Sequence, residues 1–332
     1  AGCTLMSEHA AATPSSQSDN APVSEADTHS DAAAQPGAAG TQPAASEVPI
    51  AAMLSGLFDA LSQAGVPDAD VDAELLVGHV LGLGRGAVQA AAIVGKALDA
   101  QQVAQIEALA SRRSRREPLQ HITGVAPFRH LLLRVGPGVF VPRPETEGVA
   151  QMAIDALRSQ ASEAPIGIDL GTGSGAIALA MATEVPNARI FAAENSEEAF
   201  AWTRQNFDET GAENAKLAFI DLARAFPELD GTVDVVVSNP PYVPDDAIPR
   251  DPEVRFYDPA VALYGGPDGL DVVRELSSAA RRLLRPGGTL IIEHGELQGL
   301  AIRELLEADG WRATATHPDL TMRDRTTTAL HP

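Results

Sequence analysis

The sequence predicts an α/β protein, a doubly wound and mostly parallel sheet behind a small N-terminal bundle of helices. Three observations carry that prediction. From about residue 166 onward, short apolar strands alternate with helical stretches, the pattern of a sheet covered on both faces. The run Val235-Val236-Val237 is β-branched without alternation, as in a strand buried on both sides. Between residues 50 and 116 the apolar residues recur instead at helix spacing.

Composition narrows the function. The chain has 332 residues, enough for a sizeable core and two domains. Its net charge is −21, from 24 basic and 45 acidic residues. Phosphates are held by Lys and Arg, so no stable nucleic-acid complex is expected. The single Cys3 allows neither an internal disulfide nor a cysteine metal site. It suits a reducing cytosol, and no metal is expected. No apolar run approaches the length of a membrane span, so the expectation is a cytoplasmic monomer without a membrane partner.

In chain order, residues 1–49 are rich in Ala, Ser, Pro and Gln, with six acids and no Lys or Arg, and read as a disordered tail. The remainder still carries −15. Residues 50–116 read as a helical domain. Met53, Leu54, Leu57, Phe58 and Leu61 mark one helix, ended by Gly65-Val66-Pro67. Leu75, Leu76, Val80 and Leu81 mark a second from about Asp70, and a third spans about Asp99 to Arg113. Arg112, Arg113, Arg115 and Arg116 form a basic cluster in an acidic chain. Either they are a solvated helix end favoured by the macrodipole or they meet RNA or an acidic partner. Residues 117–147 read as a linker with a hairpin around Phe128 and Leu131 to Val135. It closes on Pro142-Arg143-Pro144-Glu145-Thr146-Glu147, a stiff loop entering a helix, where Arg143 can line a pocket.

Residues 148–332 hold the sheet. Ile166 to Leu170 feeds the glycine-rich turn Gly171-Thr172-Gly173-Ser174-Gly175, which opens a helix and lets a ligand approach bare backbone. Gly171, Gly173 and Ala176 also satisfy a dinucleotide fingerprint. Asp169 argues against that use, because a carboxylate there repels phosphate but can receive the cationic amino end of S-adenosylmethionine. Glu194, 23 positions beyond Gly171, ends the next strand and suits ribose hydroxyls, with Asn195 beside it. Asp221 and Leu222, at the third strand tip, are placed to meet an adenine ring; for Asp221 a cap is an equally simple role. Further on come helices at about 268–284 and 299–308, the turn Arg285 to Gly288, and strands at 289–292, 312–316 and 326–330. The last two make an antiparallel edge.

The strand through Val235 to Val237 must end at Asn239, because Pro240 and Pro241 cannot continue a central ladder. Ligands of open α/β sheets bind beyond such carboxyl ends. The Asn239 oxygen and the Pro240 carbonyl are two acceptors that can grip both hydrogens of a planar NH2 group. Tyr242 can lie against that group and exclude water. An amide nitrogen is a poor nucleophile, so preorganised positioning is the help it needs.

These motifs stand in an order that resembles a known family. Arg116-Glu117-Pro118-Leu119-Gln120, the Pro142 to Glu147 loop, Asp169 to Gly175, Asn239-Pro240-Pro241-Tyr242, Ala262-Leu263-Tyr264-Gly265-Gly266-Pro267-Asp268-Gly269 and Glu293-His294-Gly295-Glu296-Leu297-Gln298 are similar to those of bacterial release-factor glutamine methyltransferases, the PrmC/HemK family. The resemblance covers about residues 50–332. It implies a seven-stranded, class I S-adenosylmethionine-dependent methyltransferase domain behind a helical domain that helps hold a protein substrate.

The implied reaction is methylation of the glutamine side-chain nitrogen in the Gly-Gly-Gln motif of peptide-chain release factors. By the same resemblance Asp169, Gly171 to Gly175, Glu194, Asn195, Asp221, Leu222 and Asn239 hold the cofactor. Asn239, Pro240, Pro241, Tyr242 and Arg143 hold the substrate, and Asn239, Pro240 and Tyr242 are catalytic. The Asn-Pro-Pro-Tyr tetrad by itself is shared with adenine-N6 methyltransferases of DNA and RNA, which are the alternative reading. Three positions depart from the family pattern: Glu194 stands for an aspartate, Leu222 offers no aromatic ring, and no glycine precedes the arginines in Asp319 to Arg325.

Overall fold

The computed structural model describes residues 47–332. The tail expected over residues 1–49 lies outside the described residues except at its end, where Val48–Pro49 (β1) forms a strand. Five helices follow: α1 (Ile50–Gln63), α2 (Ala69–Leu81), α3 (Arg85–Ile93), α4 (Ala100–Ser114) and α5 (Leu119–Thr123). Ala97–Leu98 (β2), between α3 and α4, pairs antiparallel with β1.

Helix-spaced apolar residues turn Ile50, Met53, Leu57 and Leu61 of α1 inward. They pack with Leu76 and Val77 of α2, Val88 of α3 and Ile106 of α4 into one cluster. Phe58 and Leu75, expected within these stripes, lie outside them and are exposed. Asp99 begins α4 with a reciprocal capping box, its carboxylate accepting from the Gln102 backbone while the Gln102 side chain accepts from the Asp99 N–H. α3 shows no distinct period in the sequence, because its buried stripe is only Val88 and Ala91. α5, within the segment expected as a linker, adds Ile122 to the helical cluster.

A hairpin of Val125–Phe128 (β3) and Leu131–Arg134 (β4) connects to the large sheet. The remaining elements are α6 (Thr146–Arg158), β5 (Ile166–Leu170), α7 (Ala176–Glu184), β6 (Arg189–Glu194), α8 (Glu197–Thr210), β7 (Ala215–Phe219) and β8 (Val233–Ser238). After these come α9 (Pro252–Tyr257), α10 (Ala260–Leu263), α11 (Asp271–Leu283), β9 (Leu284–Glu293), α12 (Gly299–Ala308), β10 (Arg312–Pro318) and β11 (Asp324–Leu330). Seven strands share one sheet in the order β10-β11-β9-β8-β5-β6-β7. Its core is parallel, and β11 is antiparallel to both β9 and β10.

Every residue of β8 is buried because both faces of the sheet are covered. Val235 and Val237 pack with α6 and α7, whereas Val236 packs with α11 and α12. The turn expected at Arg285 to Gly288 sits inside β9 as an irregularity, between the partners Val233↔Leu284 and Val235↔Thr289. The chain winds outward from β5 through β6 to β7, then returns to the other side of β5 as β8. That reversal opens a crevice at the carboxyl ends of β5 and β8.

Candidate active site

Strand register brings the two sequence motifs level. Asp169 pairs with Val237, and the Ser238 hydroxyl donates to the Leu170 carbonyl at 2.6 Å. Gly171 and Asn239 therefore leave the sheet side by side. Between them lies a cavity of about 380 Å³, in the usual range for a small-molecule site. Its walls come from the glycine-rich turn, the tips of β6 and β7, the Asn239 corner, the Pro142 to Thr146 loop and the segment from Val254 to Leu263.

Gly171 and Gly173 have φ of +71° and +58°, and a Cβ at either would meet open space. The turn therefore needs glycine for its backbone conformation and leaves bare peptide facing the cavity. Gly175 differs. Its φ is +85°, and a Cβ there would press on Phe207 and Thr203 at 3.1 and 3.2 Å, so it serves the packing of α7 on α8 and stands off the cavity wall.

Two acids flank the turn. Asp169 is buried; its Oδ2 accepts from the Thr172 hydroxyl at 2.6 Å and from the Ala178 N–H at 3.1 Å. Its Oδ1 has no hydrogen-bond partner among the described residues. Burial pushes this carboxyl up to about 7. A buried acceptor without a donor, on a cavity wall, fits a cationic ammonium. Glu194 is turned toward the turn itself and accepts from the backbone N–H groups of Gly173, Asn195 and Ser196 at 2.8, 2.9 and 2.8 Å. Burial raises its pKa against those three bonds. Asn195 donates to Asp221 at 3.1 Å, and Asp221 also caps the short turn Leu222–Arg224 through the Ala223 N–H. Glu194, Asn195, Asp221 and Leu222 all line the cavity.

Asn239, Pro241 and Tyr242 line the opposite wall, whereas Pro240 is buried behind it. The corner is braced by the later motifs. The Val243 N–H donates to Leu263 at 2.8 Å, and the Gln298 amide donates to the Tyr242 carbonyl at 2.9 Å. A Cβ on Gly265 would sit 2.5 Å from the Pro241 carbonyl, and one on Gly269 would sit 2.3 Å from that of Tyr242, so those glycines permit the close approach. The resemblance alone had supplied these motifs; here they hold the corner from outside. Burial, with Glu293 nearby, raises the Tyr242 pKa, so its phenol stays protonated.

Arg143 lies over the Phe140 ring at 4.9 Å and donates to Asp258 at 2.6 Å, joining the Pro142 loop to the segment after α9. Asp258 is buried, and burial lifts it to about 6. Five carboxylates, of Glu145, Asp169, Glu194, Asp221 and Glu275, line the cavity against the one guanidinium of Arg143. Such a lining repels phosphate. Thr146, Asp258 and Glu293 are site residues beyond those expected from the sequence. Thr146 and Glu293 stood inside quoted motifs, but Asp258 had no local signal.

The basic cluster is occupied within the chain. Arg113 is buried and donates to Asp72 at 2.6 Å, to the Glu117 carbonyl at 2.9 Å and to Glu253 of α9 at 2.8 Å. Arg116 also reaches Glu253 at 2.9 Å, and Arg112 pairs with Glu117. Arg113 and Arg116 are held by carboxylates of their own chain, chiefly Glu253 of α9, which is neither a solvated helix end nor a contact with RNA or a separate acidic partner.

Comparison with known proteins agrees with this architecture. Residues 52–124 match the PrmC N-terminal domain, and residues 131–261 match the methyltransferase small domain. The chain is similar to a release factor glutamine methyltransferase of Streptomyces coelicolor, 49% identical over 271 residues, 81% of this chain and 93% of the relative. A protein of the same name from Bifidobacterium longum is 44% identical over 275 residues, 80% and 94% of the two chains. One from Deinococcus radiodurans is 40% identical over 268 residues, 80% and 92%. With identities of 40–49% over about 80% of this chain and more than 90% of each of these relatives, the chain belongs to the release factor glutamine methyltransferase family.

Proposed function

We propose that this chain transfers a methyl group from S-adenosylmethionine to the side-chain amide nitrogen of the glutamine in the Gly-Gly-Gln motif of peptide-chain release factors. The observation that carries the reading is that Asn239 and the glycine-rich turn open into one acid-lined cavity. Family membership supports it. The bare backbone at Gly171 and Gly173 and the unpartnered Asp169 Oδ1 suit the methionine end of the cofactor, and Leu222 suits the adenine. Glu194 keeps lone pairs for ribose beyond those its backbone bonds use.

When bound, the cofactor supplies a methyl made electrophilic by its sulfonium. The chain's own part is to hold the nucleophile. Asn239 Oδ1 and the Pro240 carbonyl accept the two N–H groups of the glutamine amide, and this aims the nitrogen lone pair away from the corner. Pro240 stands behind the cavity wall in this structure, so Asn239 carries the larger share of this grip. Tyr242 covers the amide as a neutral phenol, and Arg143 stiffens the rim. Asn239, Pro240 and Tyr242 supply no strong base, so the excess proton passes to water.

The release factor is the expected partner, with the helical domain helping to hold it. The acidic cavity weighs against the adenine-N6 reading, because a polyanion must then enter a negatively charged mouth. Incubating the protein with S-adenosylmethionine and either release factor or nucleic acid separates the two. Mass spectrometry should find 14 Da, the mass gained when methyl replaces hydrogen, on the Gly-Gly-Gln peptide at about one equivalent. Methylated nucleic acid with unmodified release factor would refute the proposal.

A further inference from the structure

Behind Asn239, away from the cavity, lies a carboxylate the reaction above does not use. Ser238 pairs with Ile292 in the parallel ladder, so Asn239 and Glu293 leave neighbouring strands side by side. Glu293 is 1% exposed, and its Oε2 has no hydrogen-bond partner among the described residues. Thr146, at the start of α6, is also buried, and its hydroxyl lies 3.5 Å from Asn239 Nδ2. Burial pushes the Glu293 carboxyl up to about 7, against the Thr146 hydroxyl, the Arg325 guanidinium and the Asn239 amide, which favour its charged form. Glu293 stands off the cavity wall, whereas Asn239 and Thr146 line it.

An asparagine amide has a donor end and an acceptor end of nearly the same shape, so packing alone chooses poorly between its two orientations. An ionised carboxylate accepts and never donates. We infer that Glu293 is a positioning residue that sets the polarity of Asn239: with Thr146 it draws the Asn239 NH2 inward and leaves Oδ1 facing the cavity. Reversed, the same side chain would offer an NH2 to the substrate and repel the amide nitrogen it must hold, favouring a carbonyl instead. Glu293 thus selects an NH2-bearing substrate without touching it. The inference rests on the proposed glutamine methylation.

The test exchanges the polarity of the pair. In Asn239→Asp the two carboxylates oppose each other, and turnover should fall at least a hundredfold at pH 8.5. Glu293→Gln should lose at least tenfold in kcat, with cofactor affinity by calorimetry within threefold of wild type. In the double variant Asn239→Asp, Glu293→Gln, the new amide can donate to the new carboxylate, which again presents an oxygen to the cavity. Its turnover should exceed that of Asn239→Asp at least tenfold, a gain that a merely structural Glu293 would not produce. A folded double variant no faster than Asn239→Asp overturns the inference. If the double variant does not fold, Glu293→Gln decides: unchanged kcat overturns the inference, and a tenfold loss at unchanged cofactor affinity supports it. Wild type that leaves the release factor unmethylated refutes the functional reading instead.

Discussion

Replacing Arg113 by alanine should destabilise the whole described chain, because this one side chain joins the helical bundle to the wall of the cavity. It is 5% accessible and contacts acceptors from α2, from the segment after α4 and from α9. The substitution leaves the Asp72 and Glu253 carboxylates largely out of water, with Glu253 keeping only Arg116. Breaking a buried pair from one side typically costs about 3–5 kcal/mol, since the uncompensated charge remains. Against a total stability on the order of 10 kcal/mol, that lowers the melting temperature by roughly 10 °C. Urea unfolding followed by circular dichroism measures the loss. Neutralising the orphans, in Arg113→Met with Asp72→Asn and Glu253→Gln, should recover most of it. A loss below about 1 kcal/mol for Arg113→Ala would refute the view that this contact is dry and load-sharing between the two parts.

Four further outcomes are expected. Asn239→Ala should lower methylation about a hundredfold to a thousandfold, the usual effect of removing one preorganised dipole, while calorimetry finds cofactor affinity little changed; equal losses in both would remove Asn239 from its assigned role. Burial raises Asp169, Asp258 and Glu293 to about 7, 6 and 7. Their unfolded values lie near 4, so between about pH 4 and 7 these three carboxyls hold more protons in the native state and their contribution to the stability of the cofactor-free protein falls as pH rises, whereas His121 and His294, lowered by burial, contribute the opposite slope. Cofactor affinity should move the other way over pH 6 to 7.5, strengthening as Asp169 ionises, and Asp169→Asn should flatten that slope; an equally steep slope in the variant would contradict it. Met322, just before Arg323 in the stretch that lacks the glycine the resemblance leads one to expect, adopts φ +65° with its side chain exposed. Met322→Gly should therefore stabilise the protein by up to about 1 kcal/mol, once the flexibility of glycine in the unfolded chain offsets part of the relieved strain. Thermal melts that show destabilisation would mean the turn through Asp319 is not strained.

Much of the site was legible because its signals are local. A glycine-rich turn after an apolar strand, and prolines that must stop another, place Gly171 and Asn239 at strand ends before any packing is known. Strand ends lie on one side of a parallel sheet, which already puts the two motifs together. Other features were illegible for equally physical reasons. The stripe of α3 is two residues wide, too thin to show a period. That Glu194 also accepts from three backbone groups of its own chain has no local signal, because those groups reach it only through the folded turn.

By itself, then, the sequence determined the alternation of strands and helices, the doubly wound sheet and the chemistry at its tips, all of which follow from spacing, proline and glycine. Only the tertiary structure decided which charges meet. Arg113 and Glu253 are 140 positions apart, and Asn239 and Glu293 stand at the ends of the neighbouring strands β8 and β9. No local pattern encodes such pairs, because what selects them is burial: a carboxylate's partner matters most where water is excluded, and that is known only once the chain has closed around it.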